Sequence, residues 1–337
     1  MTRQTFRLAP FAAAALFVAS GGALAQTVLN VSTWLPPAHG ATMAQNQWCE
    51  AVEKETKGSV KCHLLPKAVS APPGTFDAVR DGLADVSYTV DGYTPGRFIF
   101  TQVAEFPFLG DTSTATSVAY QRIYDKYFAP LGEHRGVKTL AVFTHGPGII
   151  FTVKQPVTSA AEAAKLKFRI GGGNINELSK LMGWNTTLKP ATDSFELLST
   201  GVMDGTFFPD ESLQSMRLGM VRYATTFPGG LYNTSFVFMM NQAKFDSLKP
   251  EEKAAITKVS GEYAARLFAA GWDRTDAASR DIQKTTGVQR QMANEAFVND
   301  VKAKQAQLED KWVAAAEARG LKNARAVLAE FRAETQK

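Results

Sequence analysis

The segment His145-Gly146-Pro147-Gly148 separates two regions of the chain in which strand and helix patterns alternate. Before it, Val28–Thr33 and Val60–Leu64 have the pattern of strands, and a helical pattern lies between them. After it, strand patterns return at Ile149–Val153 and Leu166–Ile170. This alternation predicts a parallel sheet covered by helices in each region. The glycines and proline of the separating segment therefore predict a crossing between two lobes.

A second segment, Pro228-Gly229-Gly230, predicts the return of the chain to the first lobe. It is followed by an apolar strand pattern at Ser235–Met240 and then by an almost wholly helical region, with one long helix from about Glu251 to Thr285. We therefore predict an α/β fold with two hinge-linked lobes and long C-terminal helices. Lobe I spans 26–146 and is completed by about 235–275, lobe II spans 147–234, and C-terminal helices occupy 276–337. A ligand site is expected in the cleft between the lobes.

The first 25 residues, Met1 to Ala25, have the pattern of a secretory signal peptide. Arg3 and Arg7 form a basic start, Phe11–Ala19 is an apolar run, and Ala23-Leu24-Ala25 is a small-x-small cleavage motif. The alternative is an N-terminal membrane anchor, but the apolar run is short for a span of ~20 residues. We expect export and cleavage near Ala25.

The composition of the 337-residue chain excludes several classes of protein. Its formal net charge of +5 is spread along the sequence, so a nucleic-acid partner is not expected. Two cysteines are too few for a cysteine-ligated metal site, and no G-x-S-x-G, H-E-x-x-H or C-x-x-C motif is present. The four histidines are dispersed. These observations favour a binding protein without a metal or cofactor over an enzyme.

Cys49 lies on the first predicted helix and Cys62 on the strand that follows it. These elements pack on each other in a strand–helix–strand unit, so a disulfide between them is geometrically possible. The alternative is a pair of buried free thiols. Export to an oxidising compartment favours the disulfide.

Four short stretches, distributed along the chain, resemble motifs of one protein family. They are Gly82-Leu83-Ala84-Asp85-Val86, Glu105-Phe106-Pro107-Phe108-Leu109, Leu166-Lys167-Phe168-Arg169-Ile170 and Thr200-Gly201-Val202-Met203-Asp204-Gly205. From Val28 to about Lys258 the sequence resembles the extracytoplasmic solute-binding proteins of TRAP transporters, the C4-dicarboxylate-binding protein family. The resemblance implies a two-lobed periplasmic binding protein fold, a periplasmic location and a small organic-acid ligand. It also implies partnership with the small and large membrane permease subunits of such a transporter.

Arg169 is the strongest candidate for a ligand contact. It ends a predicted strand just before Gly171-Gly172-Gly173 and a helix start, where a guanidinium can donate two parallel hydrogen bonds to a carboxylate. In the resembled family the matching arginine binds the ligand carboxylate. The alternation of Leu166, Phe168 and Ile170 gives the alternative, in which Arg169 lies on a solvated face.

Two positions differ from members of the family in a way that bears on the ligand. Ile149 stands where sialic-acid-binding members have a second arginine, and Phe208 stands where many members have an asparagine. The hydroxyl groups of a sugar acid would be left unpaired at about 1–3 kcal/mol each. We therefore expect an organic monocarboxylate with an apolar or aromatic body. The alternatives are a C4-dicarboxylate, a 2-oxo acid, or a role as a ligand-sensing subunit for a receptor kinase.

Loops at the carboxyl ends of the predicted strands supply the remaining candidates, because these loops face the cleft in this fold. The candidate ligand contacts are Trp34, His39, Tyr88, Asp91, Tyr93, Tyr232 and Asn233. Ordinary packing within each loop is the alternative for all of them. For Phe208 the alternative is packing in the core beneath the site. The sequence leaves the oligomeric state open.

Overall fold

The computed structural model describes residues 26–337. The signal peptide predicted for residues 1–25 lies outside the described residues. Within the described range, no helix combines the length and the apolar character needed to cross a membrane. The chain forms two α/β lobes, each built on one mixed sheet, which confirms the predicted two-lobed architecture.

The first lobe has a five-stranded sheet in the order β2-β1-β3-β10-β4. The strands are β1 (Thr27–Val31), β2 (Val60–Leu64), β3 (Val86–Val90), β4 (Val137–Thr144) and β10 (Ser235–Asn241). β1 pairs in parallel with β2 and β3, as the alternating pattern predicts, whereas β10 runs antiparallel to both of its neighbours. Every residue of β3 and β10 is buried, because these inner strands have other layers on both faces.

The second lobe has a six-stranded sheet in the order β11-β9-β5-β8-β6-β7. The strands are β5 (Ile149–Thr152), β6 (Lys167–Ile170), β7 (Asn185–Leu188), β8 (Gly205–Phe208), β9 (Tyr223–Thr226) and β11 (Gln289–Met292). β6 is parallel to β7 and β8, while β5 is antiparallel to β8 and β9. The carboxyl ends of β6 and β8 therefore meet at one edge of the sheet, and this edge faces the first lobe.

The α-helices of the described chain lie on the faces of the two sheets and in the C-terminal region. They are α1 (Gly40–Glu55), α2 (Thr75–Arg80), α3 (Ser113–Ile123), α4 (Ala160–Ala163), α5 (Asn174–Met182), α6 (Ser194–Ser199), α7 (Ser212–Ser215), α8 (Gln242–Ser247), α9 (Pro250–Lys258), α10 (Glu262–Thr286), α11 (Glu295–Ala318) and α12 (Ala324–Glu334). The single long helix predicted from Glu251 to Thr285 is wrong, because α9 ends before α10 begins. Gly261, between them, has a φ of 60°, a left-handed conformation that favours glycine and interrupts the helix.

The chain crosses between the lobes more often than the two glycine-rich segments predict. After β10 completes the first sheet, α10 leads to β11, which pairs with β9 in the second sheet. α11 then packs against α5 of the second lobe, and α12 packs against α3 of the first. The segment 276–337, predicted to contain helices alone, therefore also supplies a strand. The predicted lobe boundaries at 146/147 and 234/235 stay predictions.

Helix α10 contacts both lobes within its 25 residues. Asp273 accepts hydrogen bonds from the backbone N–H groups of Ser113 (2.7 Å) and Thr114 (3.1 Å), where α3 of the first lobe begins. One turn later, Asp276 accepts from the backbone N–H of Glu211 in the second lobe at 2.8 Å. Burial raises the pKa of Asp276 well above its usual range. Two aspartate side chains of a single helix thus accept hydrogen bonds from both lobes.

The sulfur atoms of Cys49 and Cys62 are 2.10 Å apart and the two Cα atoms are 5.8 Å apart, which is the geometry of a disulfide. The bond joins α1 to β2, the strand at one edge of the first sheet. Edge strands have a sheet neighbour on one side only, so a covalent link to the adjacent helix fixes this strand in place.

We expect replacement of both cysteines by serine to lower the free energy of unfolding by about 3 kcal/mol, because the bridge restricts the unfolded chain over a short loop. Urea denaturation of the exported protein measures this loss. The reduced wild-type protein is the control and should unfold at the same urea concentration as the double serine variant. Free thiols in the unreduced exported protein would contradict the disulfide directly.

Candidate functional site

A small cavity lies between the lobes. The carboxyl ends of β6 and β8 border the cavity on one side, and the loop after β1 borders it on the other. Most of its lining is apolar. The large aromatic rings that line it are Trp34, Tyr93, Phe208, Tyr232, Phe236 and Trp272.

Arg169, the third residue of β6, lines this cavity and is 2% exposed, so it does not lie on a solvated face. Its Nε donates to the backbone carbonyl of Lys189 at 2.8 Å. Within residues 26–337, no carboxylate lies within 4 Å of the guanidinium nitrogens, and Asp193 acts on the guanidinium only from a greater distance. The ring of Phe208 lies 4.4 Å from the guanidinium carbon, a cation–π contact. Burial lowers the pKa of Arg169, but an arginine remains protonated.

The antiparallel pairing of β5 and β8 places side by side the two positions at which an apolar residue replaces a polar residue of the family. Phe208, the last residue of β8, lines the cavity and is 6% exposed. Ile149, the first residue of β5, is its partner in the sheet register. Ile149 packs in the apolar core and does not line the cavity. This part of the sheet therefore brings an aromatic ring to the cavity but no second arginine.

His39 and Glu211 join the two lobes at the edge of the cavity. His39 caps α1, and its Nδ1 accepts a hydrogen bond from the backbone N–H of Ala41 at 3.0 Å. Its Nε2 lies 3.2 Å from Oε1 of Glu211, which follows β8 in the second lobe. Both side chains are buried. Burial opposes ionisation of Glu211, but contact with His39 holds the pKa of this carboxyl below its usual value.

Of the remaining candidates from the sequence, Trp34 and Tyr232 line the cavity, whereas Tyr88, Asp91 and Asn233 do not. The Tyr88 hydroxyl is turned into the first lobe, where it bonds to two threonine hydroxyls. The Asp91 carboxylate lies 3.1 Å from the ring of a buried histidine. The Asn233 amide donates to two carbonyls of the crossing segment, at 3.2 and 2.9 Å. These three polar groups therefore stabilise the lobes and the crossing.

Tyr93 lines the cavity and connects the lobes, because its hydroxyl accepts a hydrogen bond from the backbone N–H of Ala191 at 3.0 Å. Sequence reasoning missed several other lining residues, among them His145, Glu211 and Trp272. The place of His145 within a predicted crossing is a signal that could have identified it. Trp272 gives no such signal, since the inward face of an amphipathic helix has the same pattern whether it packs on a core or lines a cavity.

The lobes also meet backbone to backbone at glycines beside the cavity. Gly92, after β3, packs against Gly172 and Gly173, after β6: a Cβ on Gly92 would lie 2.7 Å from the Gly173 nitrogen. Glu105 of the first lobe accepts a hydrogen bond at 2.7 Å from the backbone N–H of Asn174, where α5 of the second lobe begins. A Cβ on Gly173 would overlap the Glu105 carboxylate. The glycine run thus serves close approach of the lobes.

Glu105 gives the structure a testable pH dependence, because burial raises its pKa to about 7. Between its ordinary value near 4.5 and about 7, the folded protein binds a proton that the unfolded chain does not. The contribution of Glu105 to stability therefore falls as pH rises through this interval, by up to about 3 kcal/mol. We expect the unfolding free energy of the wild type, minus that of Glu105→Gln, to fall from pH 5 to pH 8. A difference that is constant with pH would contradict the buried carboxyl group.

The family model and two related proteins assign the chain to the same kind of protein. Residues 31–315 match the family described as bacterial extracellular solute-binding protein, family 7. A curated relative, the outer membrane transporter protein TsaT of Comamonas testosteroni, is 28% identical over 91% of each chain. The 2,3-diketo-L-gulonate-binding periplasmic protein YiaO of Escherichia coli is 24% identical over 77% of this chain and 81% of its own.

Solved structures of TRAP solute-binding proteins have the same fold. One from Bordetella bronchiseptica, with bound (R)- and (S)-mandelate, is 42% identical, has a TM-score of 0.89, and matches over 92% of this chain and 99% of its own. One from Rhodoferax ferrireducens T118, with copurified benzoate, is 27% identical with a TM-score of 0.85 over 92% and 98% of the two chains. The family model and the 42% identical structure establish that the chain belongs to the TRAP periplasmic solute-binding proteins of family 7, which are receptors and not enzymes.

Proposed function

We propose that this receptor captures an aromatic monocarboxylate and that Arg169 binds the carboxylate group. The observation that supports this most strongly is the state of Arg169 itself: a buried guanidinium at the cavity wall, with no carboxylate within 4 Å among the described residues. A buried charge without a counterion is costly. A ligand carboxylate would supply the counterion and accept hydrogen bonds from the guanidinium.

The lining of the cavity favours an aromatic body for the ligand. Rings from both lobes surround the space, and Phe208 lies next to the guanidinium. An aromatic ligand would bury apolar area against these rings at about 25 cal/mol per Å² and adopt tilted or offset ring contacts. The mandelate and benzoate found in the two related structures belong to the same chemical class.

A dicarboxylate fits this cavity less well. Arg169 is the one arginine or lysine among the described lining residues, so a second carboxylate would have no cation to pair with. The other charged side chain, Glu211, is negative and is already in contact with His39. A second anionic group would therefore be buried beside a carboxylate. We infer that, in partnership with the membrane subunits of a TRAP transporter, the receptor serves uptake of aromatic acids.

Thermal unfolding with single ligands tests this function, because a ligand stabilises the folded protein by RT ln(1 + [L]/Kd). We expect benzoate and mandelate to raise the unfolding midpoint, whereas succinate and pyruvate do not. Benzamide is the matched control, since it keeps the ring but lacks the charge, and it should not shift the midpoint. A shift with succinate alone would contradict the proposal, and so would equal shifts with benzoate and benzamide.

A further inference from the structure

The cavity wall contains two buried side-chain nitrogens that have no hydrogen-bond partner among residues 26–337. They are Nε2 of His145 and Nε1 of Trp272, and both residues line the cavity. His145 is 4% exposed and Trp272 is 3% exposed. A buried polar group without a partner costs about 1–3 kcal/mol, so such groups call for a specific explanation.

The two orphan atoms have complementary hydrogen-bonding roles. Nδ1 of His145 bonds to the carbonyl oxygen of Gly146, which can only accept, so Nδ1 carries the ring proton. Burial lowers the pKa of His145 to about 4, which keeps the ring neutral and leaves Nε2 as an acceptor. Nε1 of Trp272 is a donor only. The two rings are close, with centroids 5.9 Å apart.

The surroundings of His145 hold its ring in place. The ring of Tyr232 lies edge-on to it at a centroid distance of 5.3 Å, and that of Phe236 at 6.4 Å. Its own backbone is fixed by Asn233, whose amide donates to the His145 carbonyl at 3.2 Å. An acceptor held in this way is preorganised, so little free energy is lost in ordering the His145 side chain when a ligand group binds to it.

A hydroxyl is the one common group that donates and accepts at the same atom. We propose that His145 and Trp272 form a hydroxyl-binding subsite, so that the receptor prefers hydroxylated aromatic acids to the same acids without the hydroxyl. The hydroxyl would donate to Nε2 of His145 and accept from Nε1 of Trp272 while the carboxylate lies at Arg169. This inference rests on the proposed function and adds the determinant that distinguishes ligands within that class.

Calorimetry with two matched ligand pairs tests the subsite: mandelate with phenylacetate, and 3-hydroxybenzoate with benzoate. In the wild type we expect at least one hydroxylated member to bind about 10-fold or more tightly than its partner. In His145→Phe, which keeps an aromatic ring but removes both nitrogens, this ratio should fall to near one while phenylacetate and benzoate still bind. Trp272→Phe should lower the same ratio.

Equal affinities within both pairs in the wild type would overturn the subsite, as would a ratio unchanged in His145→Phe. If His145→Phe does not fold, the ¹⁵N resonance of Nε2 in the wild-type protein serves instead. The hydroxylated member of the preferred pair should shift it as a new hydrogen bond does, and its partner should not; equal shifts overturn the proposal. If the proposed function itself is wrong, the result is different: neither member of either pair binds the wild type. That result would overturn the subsite as well.

Discussion

Replacement of Arg169 by alanine is expected to weaken benzoate binding by roughly 30- to 4,000-fold, which corresponds to a loss of about 2–5 kcal/mol. The bound carboxylate would be buried against Phe208 and away from water, and no other arginine or lysine among the described residues lines the cavity to replace the guanidinium. Arg169→Lys retains the charge but lacks the planar pair of donors, so its affinity should be intermediate. Isothermal titration calorimetry measures all three proteins.

Arg325→Ala is the matched control for this experiment. Arg325 lies on α12 with a side chain that is 58% exposed, and it is not among the residues that line the cavity. Its loss should leave the benzoate affinity within about twofold of the wild type, because exposed ion pairs contribute little. Unchanged affinity in Arg169→Ala would show that the carboxylate is held elsewhere, and would remove the main support for the proposed function.

Replacement of Gly92 by alanine is expected to weaken ligand binding by about 5- to 150-fold without lowering the stability of the separate lobes. A Cβ at Gly92 would lie 2.7 Å from the Gly173 nitrogen and 2.9 Å from the Gly172 carbonyl carbon, both in the opposite lobe. An added carbon at a tight contact typically destabilises a structure by about 1–3 kcal/mol. Because this contact joins the two lobes, the added carbon should destabilise only the conformation in which the lobes are closed on each other. The φ of Gly92 is not in the left-handed region, so alanine brings no backbone strain.

Gly219→Ala is the control, because Gly219 also lies outside the left-handed region and a Cβ there would meet nothing within 4 Å. Calorimetry gives the affinities, and small-angle X-ray scattering gives the change in radius of gyration on ligand addition. We expect Gly219→Ala to bind and contract like the wild type and Gly92→Ala to do both less well. Wild-type contraction and affinity in Gly92→Ala would show that the glycine contact is not part of closure.

The elements that could be predicted from the sequence are those with a strong local pattern. Val60–Leu64 matches the structure at both ends, and Ile149–Val153, Leu166–Ile170 and Ser235–Met240 each match to within one residue, because apolar periodicity and flanking turn residues specify them locally. β7 (Asn185–Leu188) and β11 (Gln289–Met292) were missed. Both are mostly polar edge strands whose place depends on a neighbour far along the chain, so no short window of sequence contains the information.

The residues of the candidate site also separate into those that a local sequence pattern identifies and those that only the tertiary structure reveals. Arg169 and Phe208 end strands whose carboxyl edge is the usual ligand side of an α/β sheet, and the structure brings both to the cavity. Tyr88 lies in the middle of β3, which is buried on both faces, so alternation cannot tell which face its ring occupies. Trp272 lies on a helix far along the chain from β6 and β8. Its contribution becomes visible only when the packing of α10 across the two lobes is known.

The carboxylates of Asp273 and Asp276 reach opposite lobes from adjacent turns of α10. Both lobes are therefore attached to one helix, and one lobe can rotate relative to the other only as far as α10 can roll or bend. Opening the cleft would therefore strain α10 or break one of these two contacts, and neither aspartate lies in the cavity lining.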